Sequence, residues 1–190
     1  MADTMTPSQR HNCMSRIHSS NTTPERIVRN ELWRKGYRYR LHDKRLPGTP
    51  DLVLPKYRSV IFINGCFWHG HRGCPKSVTP KSNTDFWKEK IARNIARDEL
   101  NTQRLDTLEW TVITVWECEL TKKNLPTTIT RIKNELTAAK DKYDRYCSIR
   151  RENREFAREQ ARRHRELLAQ VQAELTAQFH HPSVTTGKKA

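Results

Sequence analysis

The nine residues Cys66-Phe67-Trp68-His69-Gly70-His71-Arg72-Gly73-Cys74 restrict this chain's fold more than any other stretch. They pack two thiols and two imidazoles around an aromatic pair. A structural zinc site takes four ligands in a tetrahedron, mostly thiolate and imidazole. This stretch supplies two thiolates and at least one imidazole, so the fourth ligand must come from elsewhere. Cys118, in the run WECEL just past a strand, is the candidate. Three thiols and one imidazole close such a site and leave one histidine over, free to act as a general base. Spacing alone does not say whether His69 or His71 is the ligand. The five cysteines are an odd number for a disulfide framework, and Met1–Arg10 is polar, with no signal-peptide core. The thiols are therefore expected to be reduced, and clustered ones to hold metal.

Charge narrows the partner. Lys and Arg total 36 against 21 Asp and Glu, a formal net charge of +15. So large an excess suits a polyanion, and nucleic acid is the commonest one. No apolar run approaches the roughly 20 residues that span a bilayer. A cytoplasmic, nucleoid-associated protein with no membrane contact is expected.

The 190 residues suffice for one domain and an extension. Residues 1–21 read as an arm, in which HNCMSRI could present Met14 and Ile17 together on one helical turn. TTPERIVRNELWRKG has Pro near its start and Gly36 after its last apolar residue, which predicts a helix burying Ile27, Val28, Leu32 and Trp33. LPGTPDLVLP is a turn into a short strand, and YRSVIFI is a second strand, reversed through Pro55-Lys56. Residues 83–108 form a helix offering Phe86, Ile91, Ile95, Leu105 and Leu108 to the core. WTVITVWE (110–117) is a β-branched strand expected at the centre of the sheet. A compact α/β unit over 22–125 follows.

From Thr127 to His181 there is neither Gly nor Pro. Ile132, Leu136, Ala139, Tyr143 and Tyr146 make an apolar stripe, and 11 of the 17 residues from 150 to 166 are Arg or Glu. The segment 126–181 therefore reads as a long, largely solvated helix whose surface could serve self-association or a protein partner. Residues 182–190 form a tail.

Two carboxylates stand out. Asp51 follows Pro-Gly-Thr-Pro and opens a strand, a rigid way to aim a ligand for Mg²⁺, which wants hard oxygen donors. Glu25, in Thr22-Thr23-Pro24-Glu25, fits a capping box, which needs no active site.

PGTPDLVLP, YRSVIFINGCFWHGHRGC, TDFWKEKIARNIARD and VWECEL, in this order, resemble the very short patch repair (Vsr) DNA mismatch endonucleases over roughly residues 10–125. The resemblance implies a restriction-endonuclease-like α/β core, a central mixed sheet flanked by helices, here with a structural zinc site and a long C-terminal helical extension. It implies a Mg²⁺-dependent nick in duplex DNA, 5′ of the T of a T·G mismatch left by deaminated 5-methylcytosine. By position, Asp51 becomes the metal-binding carboxylate, the Ile63 backbone carbonyl completes the Mg²⁺ sphere, His69 is the base and Glu25 an accessory acid. Zn²⁺ falls to Cys66, His71, Cys74 and Cys118. Phe67, Trp68 and Trp87 would wedge into the base stack from the major groove, and Met14 and Ile17 from the minor groove. Lys90 and Asn94, on the helical face of Trp87, would reach the bases; Arg45, Arg58, Arg93 and Arg97 are available for phosphates.

Some members carry Thr-His where this chain has Ile63-Asn64, so Asn64 offers the leaving group only hydrogen bonds. The Glu-x-Lys of related nucleases is absent, with Ile63 and Gly65 in its place. Two rival readings use the same residues. One is a restriction-type endonuclease that cuts both strands. The other is a zinc-stabilised DNA-binding protein without catalysis.

Overall fold

A computed structural model of the protein describes residues 20–179, with Ser8, Gln9 and Asn12 ahead of them. Met14 and Ile17, and most of the N-terminal arm, lie outside the described residues. The chain divides into two compact units, residues 1–143 and 144–190.

The first helix, α1 (Thr23–Arg34), starts where the sequence says it should. Thr22 caps it, its hydroxyl accepting from the Glu25 N–H, and Pro occupies the first turn. Val28 and Leu32, one turn apart, are fully buried. Trp33, expected in the same stripe, is 54% exposed. It sits about 100° further round the helix than Leu32, and there the Arg38 guanidinium covers its ring at 3.9 Å.

Two short strands follow, β1 (Arg40–Leu41) and β2 (Leu52–Leu54), then β3 (Ser59–Asn64). Pro55–Tyr57 form a 3-10 turn closed by Arg58 in the left-handed region (φ 48), which makes the tight reversal between β2 and β3. After α2 (Thr84–Thr107) comes β4 (Thr111–Trp116), and after a second 3-10 turn, α3 (Leu125–Phe179). The sheet runs β1-β2-β3-β4, antiparallel except for the parallel pair β3–β4. The strand expected to be central, β4, is therefore at an edge among the described residues, and β3 is internal. The β-branched composition of β4 reflects cover on both faces, not two strand neighbours.

Alternation along the strands sorts the core into two layers. Leu52, Leu54, Ile61, Ile113 and Val115 face α1 and the start of α3, meeting Val28, Leu32, Ile129, Ile132 and Leu136. Val53 and Val60 face the other way and meet Leu105 of α2. Each such Leu or Ile removed from water contributes roughly 1.5–3 kcal/mol, so the sheet is held from both sides. The core thus extends past residue 125: the first four turns of α3 complete it. In α2 the expected set thins, because Phe86 and Leu108 are exposed and only Leu105 is fully buried.

Beyond Tyr143, α3 carries the charge run as a ladder of ion pairs, with Glu159 held by Arg162 at 2.9 Å and Arg163 at 3.0 Å. Those guanidinium hydrogen bonds hold the Glu159 carboxyl below its usual range. Phe156, Leu167, Leu168, Val171 and Leu175 are exposed along it. Among the described residues, no helix is long and apolar enough to cross a membrane.

Candidate active site and metal centre

Gly70 separates the two histidines of the Cys66–Cys74 loop. It adopts φ +61, and a Cβ there would stand 2.7 Å from Ile95 Cδ1 of α2. Only glycine allows this turn at so close an approach. Backbone bonds from His69 N to Gly65 O (3.2 Å) and from His71 N to Cys66 O (2.9 Å) coil the loop around it. The two imidazoles consequently go to different places.

His71 goes to the cysteines. One ligand atom from each of Cys66, His71, Cys74 and Cys118 lies within 4.8 Å of all the others. Cys118 Sγ is 3.4 Å from His71 Nδ1, close to the roughly 3.5 Å edge between sulfur and nitrogen ligands of tetrahedral zinc. The ring of His71 stacks on Trp116 at 4.1 Å between centroids and an interplanar angle of 2°, which fixes its plane. Burial, with the neighbouring Cys66 and Cys74, pushes the Cys118 thiol up to about 12, and burial also raises Cys66. Crowded thiols of this kind become stable as thiolates when a cation sits among them. A Cys₃His donor set in this arrangement fits a structural metal ion, Zn²⁺ above the harder cations.

His69 goes to α2 instead. Its Nδ1 lies 2.5 Å from Asp98 Oδ2. Burial pushes the Asp98 carboxyl up, but the hydrogen bond and charge of His69, with Arg97, outweigh it and the net shift is downward. An ionised Asp98 at Nδ1 places the ring proton there and leaves Nε2 as the lone-pair nitrogen.

Asp51 opens β2, where its Oδ2 accepts the Ile63 N–H of β3 at 2.7 Å. Glu25 is 3% exposed. Its oxygens take the N–H of Asn21 (2.9 Å) and the hydroxyl of Thr22 (2.8 Å). The capping box is therefore real, and it also fixes this carboxylate facing Asp51. Ligand atoms of Glu25, His42 and Asp51 all lie within 4.8 Å of one another. Burial pushes the Asp51 carboxyl up to about 6, against the Ile63 hydrogen bond; the Glu25 charge adds to the rise, and the His42 and His69 imidazoles oppose it. Asn64 ends β3 opposite Trp116.

The aromatic residues form one cluster. Phe67 meets Trp68 at 5.1 Å and Trp87 at 5.2 Å, edge to face, and Trp68 meets Trp87 at 5.9 Å. Trp87 is buried in this cluster, while Phe67 and Trp68 remain partly exposed. Lys90 and Asn94 serve the same loop: Asn94 Nδ2 donates to Trp68 O at 2.9 Å, and Lys90 Nζ lies 5.9 Å from the Trp68 ring centroid. Of the arginines left for phosphate, Arg58 is engaged within the fold, over Trp110 at 4.4 Å and donating to Leu108 O at 2.9 Å.

Two site residues were not singled out from the sequence. Asp98 lies one turn beyond Asn94 on the same helical face, so extending that face would have found it. His42 follows β1, whose only signal is the alternation in Tyr37-Arg38-Tyr39-Arg40-Leu41.

Residues 2–76 match the family model described as DNA mismatch endonuclease Vsr. The chain is 53% identical over 123 residues to the type II nicking enzyme V.NmeAIP of Neisseria meningitidis, covering 65% of this chain and 87% of that one. It is 49% identical over 120 residues to the type II nicking enzyme V.XorIIP of Xanthomonas oryzae, covering 63% and 88%. To the DNA mismatch endonuclease Vsr of Escherichia coli it is 42% identical over 120 residues, covering 63% and 76%. The chain belongs to the Vsr family and is a DNA endonuclease.

Proposed function

We propose that this endonuclease nicks duplex DNA on the 5′ side of a T mispaired with G, the lesion left by deaminated 5-methylcytosine, in the cytoplasm where its thiols stay reduced. Two observations support this reading: a cluster that brings Glu25 and Asp51 together, and a histidine of the Cys66–Cys74 loop held at Nδ1 by Asp98. The names of the relatives, which speak of nicking and of mismatch, point the same way. The mixed sheet between helices is assigned to the restriction-endonuclease-like class, with residues 1–21 as a DNA-contacting arm.

Asp51, with the Ile63 carbonyl and Glu25 beside it, would hold Mg²⁺, which when bound supplies positive charge to the scissile phosphate. His69 Nε2 takes the proton of the water that attacks phosphorus, and the ionised Asp98 steadies the imidazolium that results. As water's oxygen bonds to phosphorus, the opposite P–O bond breaks and its electron pair leaves with the sugar oxygen. Asn64 offers that oxygen a hydrogen bond. Cys66, His71, Cys74 and Cys118 would hold Zn²⁺ and so anchor the loop that carries His69.

Specificity rests on the aromatic cluster. Wedging between bases costs a few kcal/mol per step and least where pairing is already poor. Phe67 and Trp68, partly exposed and packed together against Trp87, are the rings that would wedge. The test is a set of end-labelled duplexes with T·G or T·A at one position. Nicking should be confined to T·G, and Trp68→Ala should lower the T·G over T·A ratio by about tenfold or more. Equal cutting of the paired duplex, or a ratio untouched by Trp68→Ala, would sink the reading of mismatch recognition.

A further inference from the structure

His42 stands in the cluster with no role assigned to it. The β1–β2 register pairs Arg40 with Val53 and Leu41 with Leu52, so continuing it by one residue sets His42 opposite Asp51. A backbone bond from His42 N to Asp51 O, at 3.4 Å, keeps the two strands together there. His42 itself adopts φ 45, in the left-handed region that few non-glycine residues enter. That turn puts its ring between the two carboxylates. Nε2 lies 3.4 Å from Glu25 Oε2, and Nδ1 lies 3.8 Å from Asp51 Oδ1. Both are longer than the roughly 2.7–2.9 Å of a charge-assisted hydrogen bond.

The two carboxylates are held independently of His42. Glu25 is fixed by the capping box, and Asp51 by the Ile63 N–H on its Oδ2, which leaves Oδ1 on the His42 side. An imidazole poised beside two fixed carboxylate oxygens, at distances too long for tight hydrogen bonds, has the form of a ligand. The other ring nitrogen would then face a carboxylate, as metal-bound histidines usually do.

We infer that His42 is a nitrogen ligand to the divalent cation held by Asp51 and Glu25, and that it widens the site's metal preference. This rests on the proposal that these carboxylates hold the catalytic cation. Magnesium favours oxygen donors, whereas imidazole favours later first-row ions. A site with two carboxylates and one imidazole should take Mn²⁺ and Co²⁺ well.

The test uses the zinc-loaded full chain with added Mn²⁺, a cation that competes poorly for thiolates. Pulsed electron paramagnetic resonance reads ¹⁴N nuclei coordinated to bound Mn²⁺. The wild-type protein should show imidazole nitrogen coupling, lost in His42→Gln and retained in His69→Gln. Labelling the wild-type histidines with ¹⁵N should change the coupling pattern, a readout that does not depend on a variant folding. Calorimetry should find the preference for Co²⁺ over Mg²⁺ reduced about tenfold in His42→Gln. A wild-type Mn²⁺ signal without nitrogen, coupling that survives in His42→Gln, or equal weakening of both cations would overturn the inference. Those results leave the carboxylate reading standing; Mn²⁺ bound as tightly by Asp51→Asn as by wild type would overturn that reading instead.

Discussion

Asp51→Asn should lower the single-turnover nicking rate on a T·G duplex by about a thousandfold or more, the scale of removing a preorganised charge from a transition state. His69→Ala should cost about a hundred- to ten-thousandfold. Measured without divalent cation, duplex affinity should stay the same for His69→Ala and stay the same or tighten slightly for Asp51→Asn, which loses a negative charge. Stability should move the opposite way from activity for Asp51→Asn. The folded Asp51 carboxyl sits at about 6 against an ordinary 3.8, so between those values the native state binds more protons than the unfolded one. Metal-free stability is therefore highest below pH 4 as far as this group is concerned, and is lost as pH rises through 6, by at most about 3 kcal/mol. At pH 7 without divalent cation, Asp51→Asn should melt higher than wild type while scarcely cutting. Substantial nicking by the variant, or a lower melting temperature, would refute Asp51 as a strained metal-binding carboxylate.

Cys118→Ser should empty the thiolate site. Its sulfur closes the set from beyond β4, 3.4 Å from His71 Nδ1 and far in sequence from the other ligands. A structural zinc contributes its binding energy to folding, and domains of this kind are stable by only about 5–15 kcal/mol. Losing one ligand should cost at least about 4 kcal/mol, or about 10 °C in melting temperature. Metal analysis by mass spectrometry should fall from one zinc per chain to near zero. Cys147→Ser is the control: Cys147 lies on α3 outside the metal cluster, and its replacement should leave both zinc content and melting within error. A Cys118→Ser protein that keeps its zinc and its stability would remove Cys118 from the site.

Much of this architecture was readable because its signals are local. Thr22-Thr23-Pro24-Glu25 announced the start of α1, and the spacing around Pro55 announced the β2–β3 reversal. The four proposed zinc ligands lie together, three of them within one loop of nine residues, 66–74, and Cys118 needed only a strand end nearby. What the sequence hid depends on tertiary register. β1 is two residues long, and the alternation around it does not give its register against β2, so His42 could not be paired with Asp51 in advance. β4 looked central because its side chains are apolar on both faces, and only the parallel pairing with β3 shows that helices provide that cover. Trp33 was misjudged by one step of helical rotation, its large apolar ring being satisfied by Arg38 at the surface. Trp87 and Asn94 did share a face, yet that face is turned to the Trp68 loop, which binds Asn94 through a backbone carbonyl.

The proposed site has one Asp51 and one His69 per chain, which on that proposal would cut one phosphodiester in one strand. Mapping the break on a duplex labelled at both ends of both strands, with a single T·G pair and Mg²⁺, tests that most directly. A single cut on the T-bearing strand, immediately 5′ of the mispaired T, with the G strand intact, is the expected pattern. Cuts in both strands, or a cut on the G strand, would contradict it.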